Sequence, residues 1–441
     1  MKKHWVMDYE TLYDCFTAVF ENYKTSETKS FVVCSIQNDY VEFIKFLHQN
    51  INNKEWHISY NGLAFDAQVT HYILDNENNL SSYPGHEIAN LIYKYAQKCI
   101  EKSNNKQFAD YAPWKMKIGQ IDVFKMHHWD NPAKRSSLKW IQYSMDWQNI
   151  LDMPIHHETK ITTQEQLDTI LEYCVNDVKS TKEIYNRSKS QIGLRKELTQ
   201  TYGINLFSAS EPRISKELFG FYLMQKLNIQ KRDLRTMKTY RDVIKISDII
   251  LPYVKFTSPD FNLLLERFKS LEVDGKNLKG SFKYSVNYKG VQTHFGTGGV
   301  HGAAKKGVYE STEDMVIMSS DVTSYYPNLA IKNQWSPGHF PKEAFCDQYE
   351  WFFTERKKIP KSNPMNYVYK IILNSTFGLS NDEKSFFYDP ELFCRITING
   401  QLSLMMLYEQ IMERIPGAVA LLQNTDGVET LIPRLYIEEY M

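Results

Sequence analysis

The amino-acid sequence predicts a multidomain protein of mixed architecture, an α/β layer followed by an α+β part, on three observations. Near the N-terminus, strand-like runs (HWVMDYE, FVVCSI, WHISYN) alternate with helical stretches. A long amphipathic run from Thr163 to about Lys189 then reads as one helix. Later, the strand-like MVIMSSDV, a helical KSNPMNYVYKIILNSTFGLSN and the paired runs of AVALLQNTDGVETLIP follow in order. At 441 residues the chain is long enough for about three domains. Residues 1–192 are expected to form the first, 193–310 a connecting region, and 311–441 the last.

Composition narrows the class. Lysine plus arginine number 52, as do aspartate plus glutamate, so any basic field for a nucleic-acid partner must be local. The six cysteines are far apart and form no CxxC pair, which argues against a zinc site or a disulfide framework. Asp8 and Glu10 interrupt the place where a signal peptide needs an apolar run, and no later stretch is long enough to span a bilayer. A cytoplasmic protein with no membrane association is expected.

In the first part, Asp8 and Glu10 stand two apart on a candidate strand and so share a face. In SYNGLAFDAQV, Asn61 ends a strand-like run and Asp66 lies where a helix begins. In TQEQLDTILEYCVNDVKS, Thr163 and Gln166 have capping-box spacing, and Tyr173 and Asp177 share a helix face at i and i+4. Each element alone is more often a polar strand face, a helix-start carboxylate or a surface pair. His127 and His128, and likewise His156 and His157, are adjacent pairs expected to point apart and to be structural.

Taken in order, DxE, NxxxFD and YxxxD resemble the three motifs of the DnaQ-like (DEDDy) 3′–5′ exonuclease domains, which have an RNase H-like fold. The resemblance implies that Asp8, Glu10, Asp66 and Asp177 hold two divalent ions, that Tyr173 orients water, and that Asn61 and Phe65 complete the second motif. Two such ions about 3.5–4 Å apart activate water and stabilise a leaving 3′ oxygen. Carboxylate oxygens select Mg2+, with Mn2+ as the alternative.

In the later part, Asp321 ends an apolar strand and Pro327 lies where a helix can start. Ser362 or Asn363 is a helix cap with Pro364 at its first position, and Lys370, Asn374 and Gly378 then recur four apart over buried Val368, Ile371 and Ile372. The Asp-Gly after Thr425 signals a hairpin with Asp426 at its exposed tip. The ordered set DxxSxYP, KxxxNSxxG and TDG resembles motifs A, B and C of family B DNA polymerases, whose exonuclease domain precedes the palm. The two resemblances together span Asp8 to Asp426. They imply a palm over 311–441 with short helical fingers at about 340–370, acting on primer-template DNA and dNTPs.

By the same resemblance, Asp321 and Asp426 hold two more Mg2+ ions and Lys370 contacts the incoming triphosphate. The basic run Arg356, Lys357, Lys358 and Lys361 offers further phosphate contacts, Arg356 and Lys357 foremost. Tyr326 matches the family's sugar gate, and Asn374 with Gly378 shapes the base-pair pocket. The chain departs from the pattern at Asn424, where motif C usually has aspartate, at Tyr325 for leucine and at Phe377 for tyrosine. The segment between Arg356 and Lys370 leaves room for only two stubby helices. Fifteen residues follow Asp426, so neither the family's KxY element nor its thumb is in the sequence. A separate thumb-bearing chain is therefore an expected partner, and the compact layout suggests a phage or other viral enzyme. The rival readings are a stand-alone exonuclease and a DNA-binding polymerase subunit with a decayed palm.

Overall fold

The computed structural model describes residues 4–133, 135–153 and 155–441. They form two compact units, Met1–Glu211 and Pro212–Met441. Among the described residues no helix is long and apolar enough to cross a membrane.

The first unit is built on a five-stranded sheet: β1 (His4–Thr11), β2 (Phe16–Asn22), β3 (Thr28–Val33), β4 (Trp56–Ser59) and β5 (Gly119–Asp122), in the order β3-β2-β1-β4-β5. The first three strands are an antiparallel meander, and β4 and β5 add parallel to β1. Every residue of β2 is buried, so it shows no alternation of buried and exposed positions.

Period-two geometry divides β1 between two cores. Trp5, Met7 and Tyr9 pack with Phe43, Val69 and Ile92 of the helices Tyr40–Asn52, Asp66–Asp75 and Gly85–Asn104. Val6 instead packs with Ile58, Ile121, Cys174 and Val178, the last two on the helix Gln164–Arg187. Asp8 and Glu10 share the parity of Val6, so the alternation that buries Met7 and Tyr9 turns both carboxylates toward that helix. The expected capping box starts it: Gln166 N–H donates to Thr163 Oγ1 at 3.3 Å and Thr163 N–H to Gln166 Oε1 at 3.2 Å.

The second unit holds a two-stranded sheet, β6 (Val243–Lys245) with β7 (Glu272–Asp274), and a six-stranded antiparallel one. The latter comprises β8 (Lys283–Tyr288), β9 (Val291–Gly296), β10 (Gly299–Ala303), β11 (Met315–Asp321), β12 (Val419–Asn424) and β13 (Gly427–Pro433), in the order β11-β13-β12-β10-β9-β8. Residues 283–303, assigned from the sequence to a connecting region, are thus three strands of this sheet. One face is covered by the helices Pro390–Arg414 and Pro259–Lys269, through Ile398, Leu402, Tyr408, Phe261 and Phe268.

The helices Lys342–Lys358 and Pro364–Leu379 run 17 and 16 residues, fuller than the stubby pair expected. Tyr349 ties them by donating to the Leu373 carbonyl at 2.6 Å. Asn363 is the cap of the second, its side chain accepting from Met365 N–H at 2.9 Å.

One local expectation fails. His156 and His157 do not point apart: they lie in a turn closed by Thr159 N–H on the His156 carbonyl, and their rings stack 4.5 Å apart.

Candidate functional site

Two cavities gather the residues singled out by sequence, one in each unit. In the first, Asp8, Glu10, Asp66 and Asp177 line a single cavity of about 720 Å³ together with Asn61 and Phe65. Three elements deliver the acids: β1, the start of the helix Asp66–Asp75, and the middle of the helix Gln164–Arg187. Tyr173 does not line the cavity, but its hydroxyl hydrogen-bonds Asp177.

Electrostatics here are dominated by burial and by the mutual repulsion of four acids. Burial, then the charges of Glu10, Asp66 and Asp177, hold the Asp8 carboxyl well above the usual range. Burial, then Asp177 and Asp66, does the same to Glu10. Burial pushes Asp66 up to about 7, against hydrogen bonds from its own N–H and that of Tyr9. Asp177 is likewise raised by burial, with opposing hydrogen bonds from Gln142 and Tyr173. Asp66 Oδ1 is buried with no hydrogen-bond partner.

Several supporting residues escaped the sequence analysis. Fully buried Gln142 donates to Asp177 Oδ1 at 2.9 Å and to Ser180 Oγ at 2.8 Å, fixing the carboxylate's rotamer. Asp122, buried at the end of β5, accepts from the N–H groups of Asn61 and Leu63, both at 3.0 Å. That latch holds the turn in which Asn61 takes φ +64° and from which Asp66 follows. Burial raises the Asp122 carboxyl to about 6 despite these bonds.

Cys174 brings a thiol beside the acids. One ligand atom each of Asp8, Glu10 and Cys174 lies within 4.8 Å of the others. Burial and the surrounding carboxylates drive the thiol far up, so it stays protonated and serves as donor to the Asp8 carbonyl at 3.4 Å.

The cavity of the second unit, about 710 Å³, has the opposite character. Arg356, Lys357, Lys361 and Lys370 line it with Tyr326, Asn374 and Asp426. Lys370, Asn374 and Gly378 lie exposed on one face of their helix above buried Val368, Ile371 and Ile372. Arg356 reaches Ser324 Oγ at 3.4 Å, and Lys357 lies over the Phe353 ring at 4.1 Å. Asn366 supports this basic run by donating to the carbonyls of Arg356 and Ile359 at 3.0 and 2.9 Å. Lys358 turns instead to Glu355 at 2.6 Å.

Tyr326 packs on Phe377 with ring centroids 4.5 Å apart, and its half-buried side chain leaves the hydroxyl oxygen without a hydrogen bond. Burial and the charge of Asp426 push this phenol upward. Asp321 does not line the cavity, but it stands opposite Gly427 in the β11–β13 register, and Val322 N–H donates to the Asp426 carbonyl at 2.8 Å. The two aspartates are therefore neighbours across one strand pair.

The hairpin differs in detail from the Asp-Gly turn expected. Asn424 pairs with Gly427, so Thr425 and Asp426 form the turn, with Thr425 at φ +29°. Gly427 has another task. A Cβ there would sit 2.1 Å from Asp321 Oδ1, so any larger residue would push that carboxylate from its present place.

No protein-family model matches the sequence, and no curated protein matches it. In fold, the chain is similar to a structure of the family B DNA polymerase from the hyperthermophilic archaeon Pyrobaculum calidifontis, with TM-score 0.52 and 11% identity. The similarity covers 100% of this chain and 54% of that one, so the chain spans about half that polymerase's length.

Proposed function

We propose that the chain is a DNA polymerase of the family B type that also shortens single strands from the 3′ end, each activity at its own cavity. The observation that carries this reading is the contrast between the cavities: four carboxylates line one, and four cations beside Asp426 line the other. The fold similarity to a family B polymerase supports it.

For the nuclease, a crowd of buried and half-buried acids with an unpartnered Asp66 oxygen fits hard divalent cations. Asp8, Glu10, Asp66 and Asp177 would hold two Mg2+ or Mn2+ ions, which supply the charge that eases deprotonation of water and balances the leaving 3′ oxygen. Tyr173, anchored on Asp177, orients the attacking water. Gln142 keeps Asp177 in position, and Asn61 and Phe65 hold the strand end.

For synthesis, Asp321 and Asp426 would hold the corresponding pair of ions. The primer 3′ oxygen attacks the α-phosphorus of the dNTP and pyrophosphate leaves. Lys370 and Arg356 bind the triphosphate and meet the charge that builds on the departing oxygens. The Tyr326 ring lies against the deoxyribose and leaves no room for a 2′-hydroxyl, while Asn374 and Phe377 border the nascent base pair.

The test is a paired assay on purified protein with Mg2+. Asp8→Ala with Glu10→Ala is expected to lower 3′–5′ degradation of single-stranded DNA at least about a thousandfold and to leave primer extension in place. Asp321→Ala is expected to do the reverse. Undiminished cleavage by the first variant, or undiminished extension by the second, sinks the corresponding assignment.

A further inference from the structure

Two large aromatic rings stand in the open on the helix that borders the acidic cavity. Trp140 lines the cavity and is 60% exposed, and Tyr143, on the same short helix Leu138–Ser144, is 67% exposed. Their rings stack with centroids 5.8 Å and planes 29° apart. The helix itself is fixed, because Ser137 caps it by accepting from Trp140 N–H at 3.2 Å and its buried Gln142 is bonded to Asp177. The rings are thus held at a set place beside the carboxylates, by the helix that also positions one of them.

The two ions proposed above would meet the phosphate at the bond to be cut, and Arg135 is the basic side chain among the described residues that line the cavity. Neither offers a contact to a base, which an uncharged ring face supplies. Tryptophan is largely buried on average, and a stacked, exposed tryptophan–tyrosine pair on a helix bordering a cavity presents apolar area of the kind that marks a binding surface.

We propose that Trp140, backed by Tyr143, is a stacking platform for an unpaired nucleobase near the end of the strand being shortened, and that Arg135 meets a phosphate beside it. This deepens, and rests on, the nuclease reading above. A base in a duplex has both faces covered by its neighbours, whereas an unpaired base offers a free face. Stacking on a ring is also indifferent to base identity. The platform therefore makes the cavity select single strands of any sequence.

The test uses protein carrying Asp8→Ala and Glu10→Ala, so that substrate survives, and follows the anisotropy of a labelled oligothymidylate. Trp140→Ala is expected to raise Kd about tenfold, and Trp140→Phe to stay within about threefold of the parent. Trp140→Leu, which keeps apolar bulk without a ring face, is expected to bind as poorly as Trp140→Ala. An abasic oligomer of the same length is expected to bind more weakly and to ignore all three substitutions. Oligothymidylate binding by Trp140→Ala or Trp140→Leu within about twofold of the parent, or equal weakening on the abasic oligomer, overturns the platform. If the parent with intact Asp8 and Glu10 leaves the oligomer uncut in Mg2+, the nuclease reading fails, while the Kd ratios still decide the platform.

Discussion

Asp66 shows how a single side chain couples chemistry to stability. Burial pushes its carboxyl up to about 7, above the usual carboxylate range near 4, so between roughly pH 4 and 7 the folded chain binds more protons than the unfolded one. Stability from this group is present in full at low pH and is lost as pH rises through the folded value. The thermal midpoint of metal-free protein should therefore fall from about pH 5 to about pH 8. Asp66→Asn should flatten that fall and stabilise the protein at the upper end by on the order of 2 kcal/mol, because the carboxylates share the penalty. Calorimetric scans of both proteins in chelator check this, and an unchanged slope would show that the acids are not crowded in solution. Tyr326 concerns selectivity instead. With its ring on Phe377 and its hydroxyl oxygen without a hydrogen bond, it acts by bulk, so Tyr326→Ala should raise ribonucleotide incorporation by roughly tenfold or more relative to dNTPs in a primer-extension assay. Asp8, Glu10 and Asp177 were legible in the sequence because period two on a strand and i, i+4 on a helix announce shared faces. Gln142 and Asp122 were not, since each works through a hydrogen bond to a residue far along the chain, which no local spacing records. Trp140 was hidden too, because its helix is tied to the acids through Gln142 and Asp177, a contact between residues far apart in the chain.

The turn that leads into Asp66 depends on its contact with the end of β5. Asp122 latches the Asn61 and Leu63 amides there, and both of its oxygens are used as acceptors. Asp122→Asn retains one acceptor and places an amide NH2 against a backbone donor. The substitution should cost about 1–3 kcal/mol in unfolding free energy and lower single-strand degradation about tenfold or more, with primer extension unchanged. Urea unfolding and a digestion time course measure the two effects, and a stable variant with full nuclease rate would remove the latch from the account. Element boundaries were legible where chemistry marks them, as at the Thr163–Gln166 box and the Asn363–Pro364 start. β2 was not, because burial on both faces erases the alternation that identifies a half-exposed strand.

At the scale of the molecule, the first unit extends beyond the domain end at 192 that the sequence suggested. Fully buried Arg195 donates to the carbonyls of Met126 and Ala209 at 3.0 and 2.8 Å. Ser208 accepts from Asp122 N–H at 2.9 Å, and the rings of Phe207 and Trp56 lie 4.9 Å apart. The stretch after residue 192 therefore closes the core on which the acidic cavity rests. A fragment 1–211 should fold cooperatively and degrade single strands, whereas a fragment 1–192 should unfold at a lower temperature by about 10 °C or more, having lost several buried hydrogen bonds. Equal midpoints for the two fragments would place the boundary back at 192.

The β11–β13 apposition also bears on how this chain can change over generations. Asn424 is exposed and its pairings run through the backbone, so a codon change there disturbs little of the architecture. A side chain at Gly427 would instead have to displace the Asp321 carboxylate, whose Oδ1 lies 2.1 Å from the place of a β-carbon. The hairpin thus joins a position open to drift with one closed to it three residues away, and lineages descended from this gene would be expected to vary at the first while inheriting the second intact.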